Sequence, residues 1–370
     1  MVRSFLTKIR KIWIKIASRL LNFFFKLKKF DFNLFFKFLF IILKKEYSKY
    51  PKYVSSFESN FAKQFGAKYC LTFSSGTASF YASVLALNLK KDSKVLISSL
   101  TFPTVIETLK KFEFDIHYFS IDRNFKIIPP KTDDQKFDLL VMTYPFGFHI
   151  NFEIIKSYLN KGSKTILDAS HSQGMKIDDS NHVKFFDISF LSLQGNKSIS
   201  GGEGGAILTD DENIYLKMIN NHHPGHRLNK NLRVAGGITD LKLRMHPIAA
   251  VIGANDLKSF DVRNESLKEK VKNIYGYLDE LNIKHPFNKN SIISGFHYGL
   301  PFFLLKEIKS DIIKKYNWYD NLDKFNLTSI SKENNEIFFQ NIYFLDLEWI
   351  KENKISIIKK KIFKIFNDVS

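Results

Sequence analysis

The chain has 370 residues, 44% of them apolar and 25% charged, enough for two compact domains with a large core. Its single cysteine, Cys70, excludes an intramolecular disulfide and a cysteine-rich metal site, and its place in the apolar run "KYCLTF" reads as a small core residue. The formal net charge of +19 is uneven: residues 1–50 carry 13 Lys or Arg against Asp31 and Glu46, a net of +11, so the rest of the chain is only moderately basic.

In "KIRKIWIKIASRLL", Ile9, Trp13, Ile16 and Leu20 recur at helical spacing beside a stripe of Lys8, Lys11, Lys15 and Arg19. The pattern predicts an amphipathic helix with a cationic face. The Phe-dense stretch that follows is interrupted by Lys26, Lys28, Lys29, Asp31 and Lys37. Its least polar part, residues 32–43, would measure about 18 Å as a helix, against roughly 30 Å of hydrocarbon in a bilayer. A transmembrane span is not expected. Nor is a signal peptide, because no small-residue cleavage site follows a clean apolar region. We read residues 1–50 as a basic, Phe-rich amphipathic extension lying in a membrane interface, drawn by anionic lipid and Phe burial. A helical arm packed on the body or on a partner subunit is the main alternative. Contact with a nucleic-acid backbone is the least favoured one.

From about residue 51, short apolar runs alternate with helical stretches. "KYCLTF" precedes "SSGT" and the helical "ASFYASVLALNL"; "KVLISS" leads into "LTFPTVIETLKKF"; "DLLVMTYPFG" leads into "FEIIKSYLNKG"; "KTILDAS", "DISFLSL" and "GGAILT" follow closely. This alternation predicts an α/β fold, a mixed, mainly parallel sheet covered on both faces. Functional groups in such folds gather beyond the carboxyl ends of strands. Ser75, Asp168 and Ser192 fall at or beyond such ends. After about Asn255 a long helical stretch leads into a mixed, Lys- and Ile-rich region, read as a smaller C-terminal α/β domain. The expected divisions are 1–50, 51–255 and 256–370. No internal repeat is present.

Three local signals stand out. "SSGTAS" between a strand and a helix makes an anion site from free N–H groups, the helix dipole and hydroxyl donors, although a plain helix cap would look the same. Asp168 ends the strand "TILDAS", where a carboxylate needs a cationic partner or several donors, or else serves as an ordinary cap. In "SLQGNKSISGGEGG", five glycines (Gly195, Gly201, Gly202, Gly204, Gly205) crowd eleven positions around Lys197. A lysine on such a turn at a sheet edge can be desolvated towards nucleophilic amine chemistry. It is not a P-loop lysine, since the GxxxxGK[ST] spacing is absent. In this order the three signals match what pyridoxal phosphate requires: donors for the phosphate, a carboxylate for the pyridine nitrogen and a lysine for the Schiff base.

The set "FESNFAKQFGAKYCLTFSSGTAS", "SSLTFPT", "ILDASHSQG", "SFLSLQGNKSISGGEGGAILTDD" and "LRMHPIAAVIGANDL" resembles the DegT/StrS (DegT/DnrJ) aminotransferases, fold type I pyridoxal-phosphate enzymes acting mostly on nucleotide-linked keto-sugars. The resemblance runs from about Phe57 to about Leu278. It implies that Lys197 holds the cofactor and shuttles a proton, that Asp168 pairs the pyridinium nitrogen, and that Phe102 stacks on the ring. It further implies that Gly76, Thr77 and Ser192, with Ser75 nearby, hold the phosphate, and that His171 lies near the phenolic oxygen, a core histidine being the alternative there. "SGGEGG" looks like the family's TGEGG turn.

Two departures follow. Where the family often reads G-x-N-x-R-M, this chain has Asp240 and Lys242 at the Gly and Asn positions, so Lys242 becomes a weaker candidate for the neighbouring subunit's phosphate. "HHPGHR" (His222, His223, His226) lacks a nearby carboxylate or Cys and reads as a polar loop at the substrate entrance; no metal is expected. The resemblance implies a cytoplasmic homodimer with a shared site that transfers an amino group, from glutamate, to a nucleotide-sugar for cell-surface polysaccharide. The family's dehydrating branch has His at the lysine position, so Lys197 favours transamination. The rival readings are a pyridoxal-phosphate reaction on a non-sugar ketone such as a cyclitol, and a membrane-surface scaffold with a decayed enzyme body.

Overall fold

The computed structural model describes residues 32–44, 50–98, 101–121, 127–128, 136–147, 156–158, 161–177, 180–222, 241, 243–283, 285, 300–303, 313–315, 342–345, 350 and 352–367. The chain divides into two compact units, residues 1–48 and 49–370.

In the first unit, helix α1 spans Phe32–Leu43, the least polar stretch of the extension. Ile41 is buried, whereas Phe36, Leu39, Phe40 and Leu43 are exposed. These four lie at i, i+3, i+4 and i+7 and therefore share one face. Among the described residues no helix is long and apolar enough to cross a membrane. The expected cationic helix over residues 8–20 lies outside the described residues.

The second unit opens with α2 (Tyr50–Phe65). It then alternates β1 (Tyr69–Phe73), α3 (Gly76–Leu87), β2 (Lys94–Ser98), α4 (Pro103–Lys111), β3 (Asp115–Ile121), β4 (Ile127–Ile128), β5 (Leu139–Thr143) and β6 (Lys164–Asp168). A small ribbon, β7 (Lys176–Ile177) with β8 (Ser180–Asn181), precedes β9 (Ile188–Ser192) and β10 (Gly205–Thr209). Then come α5 (Glu212–His222), α6 (Pro247–Leu257), α7 (Phe260–Glu280), β11 (Leu300–Phe303), β12 (Ile313–Lys315), β13 (Ile342–Leu345) and α8 (Ile355–Asn367).

The main sheet has the order β1-β10-β9-β6-β5-β2-β3-β4. β9, β6, β5, β2 and β3 run parallel, while β10 is antiparallel to both β9 and β1. The strands are apolar almost throughout because both faces are covered. Alternation at period two sends Leu71, Phe73, Val95, Ile97, Leu139 and Val141 into one core cluster with α3, α4 and α5. Cys70, Leu96, Leu140, Met142, Leu167 and Leu191 enter the other, with α2, α6 and α7. Cys70 is a buried, reduced core residue. In α2, Phe57, Phe61 and Phe65, at i, i+4 and i+8, pack ring against ring, edge-to-face and tilted, with centroids 5.3 and 4.8 Å apart. Fully burying one such ring contributes on the order of 2 kcal/mol. β1 is an edge strand, and the amide of Thr72 on its outer side is answered by Glu58 of α2: the buried carboxylate accepts from Thr72 N at 2.7 Å and Thr72 Oγ1 at 2.8 Å.

The C-terminal part carries a three-stranded antiparallel sheet, β11-β13-β12. Leu300, Phe302, Leu345, Ile358 and Ile362 belong to the same core cluster as α2 and α7.

Candidate active site

The parallel strands and β1 end on one edge of the sheet, and β10 begins there. Register aligns Phe73 with Gly205, Gly205 with Ser192, Asp168 with Phe190, and Thr143 with Asp168. The residues that leave these strand ends line one cavity of about 210 Å³.

The first wall is the start of α3. Ser75 is extended and caps the helix, its Oγ accepting from Ala78 N at 3.0 Å. A helix start leaves its first N–H groups without intrahelical acceptors, so those of Gly76 and Thr77 open towards the cavity with the positive end of the helix dipole. Proximity favours glycine at 76: a Cβ there would lie 3.0 Å from Ser192 Cβ, and the end of β9 would have to give way. Thr77 Oγ1 and Thr104 Oγ1, 3.3 Å apart, tie the starts of α3 and α4 together. Pro103 opens α4 and holds Phe102 in extended conformation (φ −66°, ψ 132°). Phe102 stays out of the helix and lines the cavity with 43% of its surface exposed, an unusual position for a large apolar ring.

The floor is Asp168 at the end of β6, 5% exposed. Ser170 N donates to its Oδ1 at 3.0 Å. Burial raises its carboxyl pKa, while the Ser170 hydrogen bonds and the Lys197 charge oppose that rise. His171 is also buried against the cavity, its ring 6.3 Å from Phe146. Ser192 ends β9, and its backbone N donates to Ser170 Oγ at 3.0 Å.

Lys197 sits on the turn between β9 and β10 and is 7% exposed. The turn closes through Lys197 N to Gln194 O (3.0 Å), Gly201 N to Leu193 O (2.8 Å) and Leu193 N to Gly204 O (2.9 Å). Two glycines answer why the segment is so glycine-rich. Gly204 has φ +140°, a conformation that L side chains rarely adopt, and a Cβ on Gly205 would fall inside the contact radius of the Ser75 carbonyl and Ser79 Oγ. The turn thus folds back directly under the start of α3. Burial lowers the Lys197 ammonium pKa to about 7, against the opposing pull of Asp168.

All the anticipated residues except Lys242 share this cavity: Ser75, Gly76, Thr77, Phe102, Asp168, His171, Ser192 and Lys197. Lys242 lies outside the described residues, as do Asp240, His223 and His226. The neighbouring Leu243 carbonyl accepts from Ser74 N at 2.7 Å. Thr104, Thr143, Ser170, Gln194 and Glu203 also line the cavity and were not singled out by sequence reasoning. Gln173 was missed too. Fully buried, it donates to Ser192 O at 2.8 Å and accepts from Ile199 N at 2.8 Å, bridging both sides of the turn. Its presence in "DASHSQG" was the available signal, but its partners are remote in sequence.

Among curated proteins, GDP-perosamine synthase of Escherichia coli O157:H7 is 26% identical over 228 residues, 60% of this chain and 62% of that protein. The chain therefore matches about three fifths of that relative's length. GDP-4-keto-6-deoxy-D-mannose 3-dehydratase of E. coli O55:H7 is 26% identical over 294 residues, 71% of this chain and 74% of that one. Among solved structures, the aminotransferase from Psychrobacter cryohalolentis superposes with a TM-score of 0.74 at 16% identity, covering 92% of this chain and 98% of that one. The fold is that of the fold type I aminotransferases, as the sequence led us to expect. Residues 39–315 match the sequence profile of the DegT/DnrJ/EryC1/StrS aminotransferase family, and the chain belongs to that family.

Proposed function

We propose that the chain is a pyridoxal-phosphate-dependent aminotransferase that moves an amino group from an amino acid, by resemblance glutamate, onto a keto group of a nucleotide-linked sugar for cell-surface glycan. One observation carries the proposal: a helix start with open N–H groups, a buried carboxylate and a buried amine converge on a single cavity. The donor set fits the cofactor. Ser75, Gly76, Thr77 and Ser192 line the same cavity and offer N–H and hydroxyl donors for a phosphate. Phe102 offers a flat apolar face, and Asp168 offers a buried acceptor for a protonated ring nitrogen. When bound, pyridoxal phosphate supplies a carbonyl for amine capture and an electron sink.

The chain's own residues do the rest. Gly76 and Thr77 N–H groups, with the Ser75, Thr77 and Ser192 hydroxyls, would bind and orient the phosphate. Asp168, held by Ser170, fixes a positive charge opposite itself. Lys197, with its pKa lowered to about 7, is substantially neutral at physiological pH, so its Nζ would hold the cofactor and, once released, would accept and return a proton. His171 lines the cavity beside them. Lysine at 197, where the dehydrating branch of the family has histidine, favours amino transfer over dehydration. Relatives named for GDP-sugars support a nucleotide-sugar acceptor. By resemblance two copies share the site, which sedimentation equilibrium of the full chain would test.

Absorption spectroscopy tests the chemistry. Protein incubated with pyridoxal phosphate should show a visible band that glutamate bleaches, and Lys197→Ala should form no such band. A wild-type protein that forms no band refutes the proposal.

We also propose that residues 1–50 hold the protein at the inner face of the membrane. The exposed stripe Phe36, Leu39, Phe40 and Leu43 supports this, together with the net charge of +11 over this segment. Full-length protein should co-sediment with phosphatidylserine vesicles, and Phe36→Ser/Phe40→Ser/Leu43→Ser should stay in the supernatant. Equal sedimentation of the two would refute it.

A further inference from the structure

Each of the three residues after Lys197 is bonded through its backbone to a side chain from elsewhere in the chain. Ser198 O accepts from Arg263 Nη2 at 2.9 Å, Ile199 N donates to Gln173 Oε1 at 2.8 Å, and Ser200 N donates to Asp256 Oδ2 at 2.8 Å. Arg263 Nη1 pairs with Asp256 Oδ1, and Nη2 also reaches Asp256 O at 3.1 Å. Gln173 holds the other limb of the turn through Ser192 O. None of Gln173, Asp256 and Arg263 lines the cavity.

We propose that Arg263 and Asp256, from the start of α7 and the end of α6, act with Gln173 as positioning residues that keep the Lys197 side chain buried in the cavity. The inference rests on the reading of Lys197 as the reactive amine. Arg263 and Asp256 are 45% and 24% exposed, and an ion pair so exposed contributes little to global stability. Its effect is geometric: it fixes one carbonyl and one amide that the turn's own backbone does not use. With the clamp released, the turn opens towards solvent and the amine regains hydration. The other titratable groups lining the cavity are Asp168 and His171 from the end of β6 and Glu203 from the turn itself.

The experiment uses full-length protein without added cofactor. Lysines are labelled with formaldehyde and cyanoborohydride across a pH series, and the extent at Lys197 is read by mass spectrometry. Wild type should be half-labelled near pH 7, where burial places the amine. Arg263→Met should move that midpoint up by about one unit or more, roughly a tenfold loss of neutral amine at pH 6, with little change in the urea midpoint. Arg263→Lys, which keeps one donor, should restore part of the shift, and Gln173→Leu should show the same upward direction. A Lys197 midpoint in folded Arg263→Met and Arg263→Lys equal to wild type would overturn the clamp. Wild-type Lys197 labelling only near pH 10, like a surface lysine, would instead sink the amine reading on which it rests. The visible band with pyridoxal phosphate, and its pH dependence, gives a second readout: it should move in Arg263→Met if the amine has moved.

Discussion

Replacing Lys197 with Met should stabilise the cofactor-free protein. A lysine that titrates near 7 rather than 10.5 carries a desolvation cost of about 3.5 pKa units, roughly 5 kcal/mol when protonated in the folded state. Methionine keeps the stem and removes the charge. Asp168, which loses the opposing ammonium, returns part of that gain, so the net is about 2–4 kcal/mol at pH 6. For a body of this size that corresponds to a rise in Tm of about 3–6 °C. The pH dependence has a definite sign. Below pH 7 both folded and unfolded wild type hold the proton and the gap is full. Between 7 and 10.5 the unfolded chain holds more protons than the folded one, so wild type gains stability as pH rises and the gap closes. Thermal unfolding of both proteins at pH 6 and pH 9.5, stripped of cofactor, makes the comparison. An Lys197→Met protein no more stable at pH 6, or a gap that widens with pH, would refute the reasoning.

Asp168→Asn keeps the volume and the Ser170 N–H bond but removes the charge; the glutamate half-reaction should slow by on the order of a hundredfold or more, read as the bleaching rate in stopped flow. Gly205→Ala should push the start of α3 away from the turn, costing about 1–3 kcal/mol and weakening pyridoxal-phosphate affinity more than tenfold. Wild-type affinity in a folded Gly205→Ala protein would contradict the close approach. Glu58→Ala removes the carboxylate that accepts from both Thr72 N and Thr72 Oγ1, and should lower unfolding free energy by roughly 2–4 kcal/mol in urea titration; a change below about 0.5 kcal/mol would show the edge of β1 to be satisfied without it.

What could be read from the sequence was local. The strand–SGT–helix of residues 69–87, the strand ending at Asp168 and the tight turn at Lys197 each announce themselves within a short window of composition and spacing. The resemblance then supplied their common destination. Sheet order could not be read this way. "GGAILT" reads as a strand, but its antiparallel insertion between β1 and β9 depends on pairing Cys70 with Leu208 and Ser189 with Leu208, contacts that no local pattern encodes. Gln173 and Arg263 were invisible for the same reason: each looks like an ordinary polar residue until the fold brings it to a turn far along the chain. Phe102 shows the opposite case, because the proline after it already fixes its backbone.

The antiparallel direction of β10 also bears on how the protein folds. β9 and β10 are consecutive strands joined by the Lys197 turn, so their pairing closes a short loop, at low entropic cost, with Ser192 opposite Gly205. The pairing of Phe73 with Gly205, which brings the start of α3 over that turn, must instead close most of the intervening chain. The hairpin that presents the amine can therefore form as a local unit early in folding. The anion-binding wall arrives with β1, and the cavity becomes complete only when the most distant strand has docked.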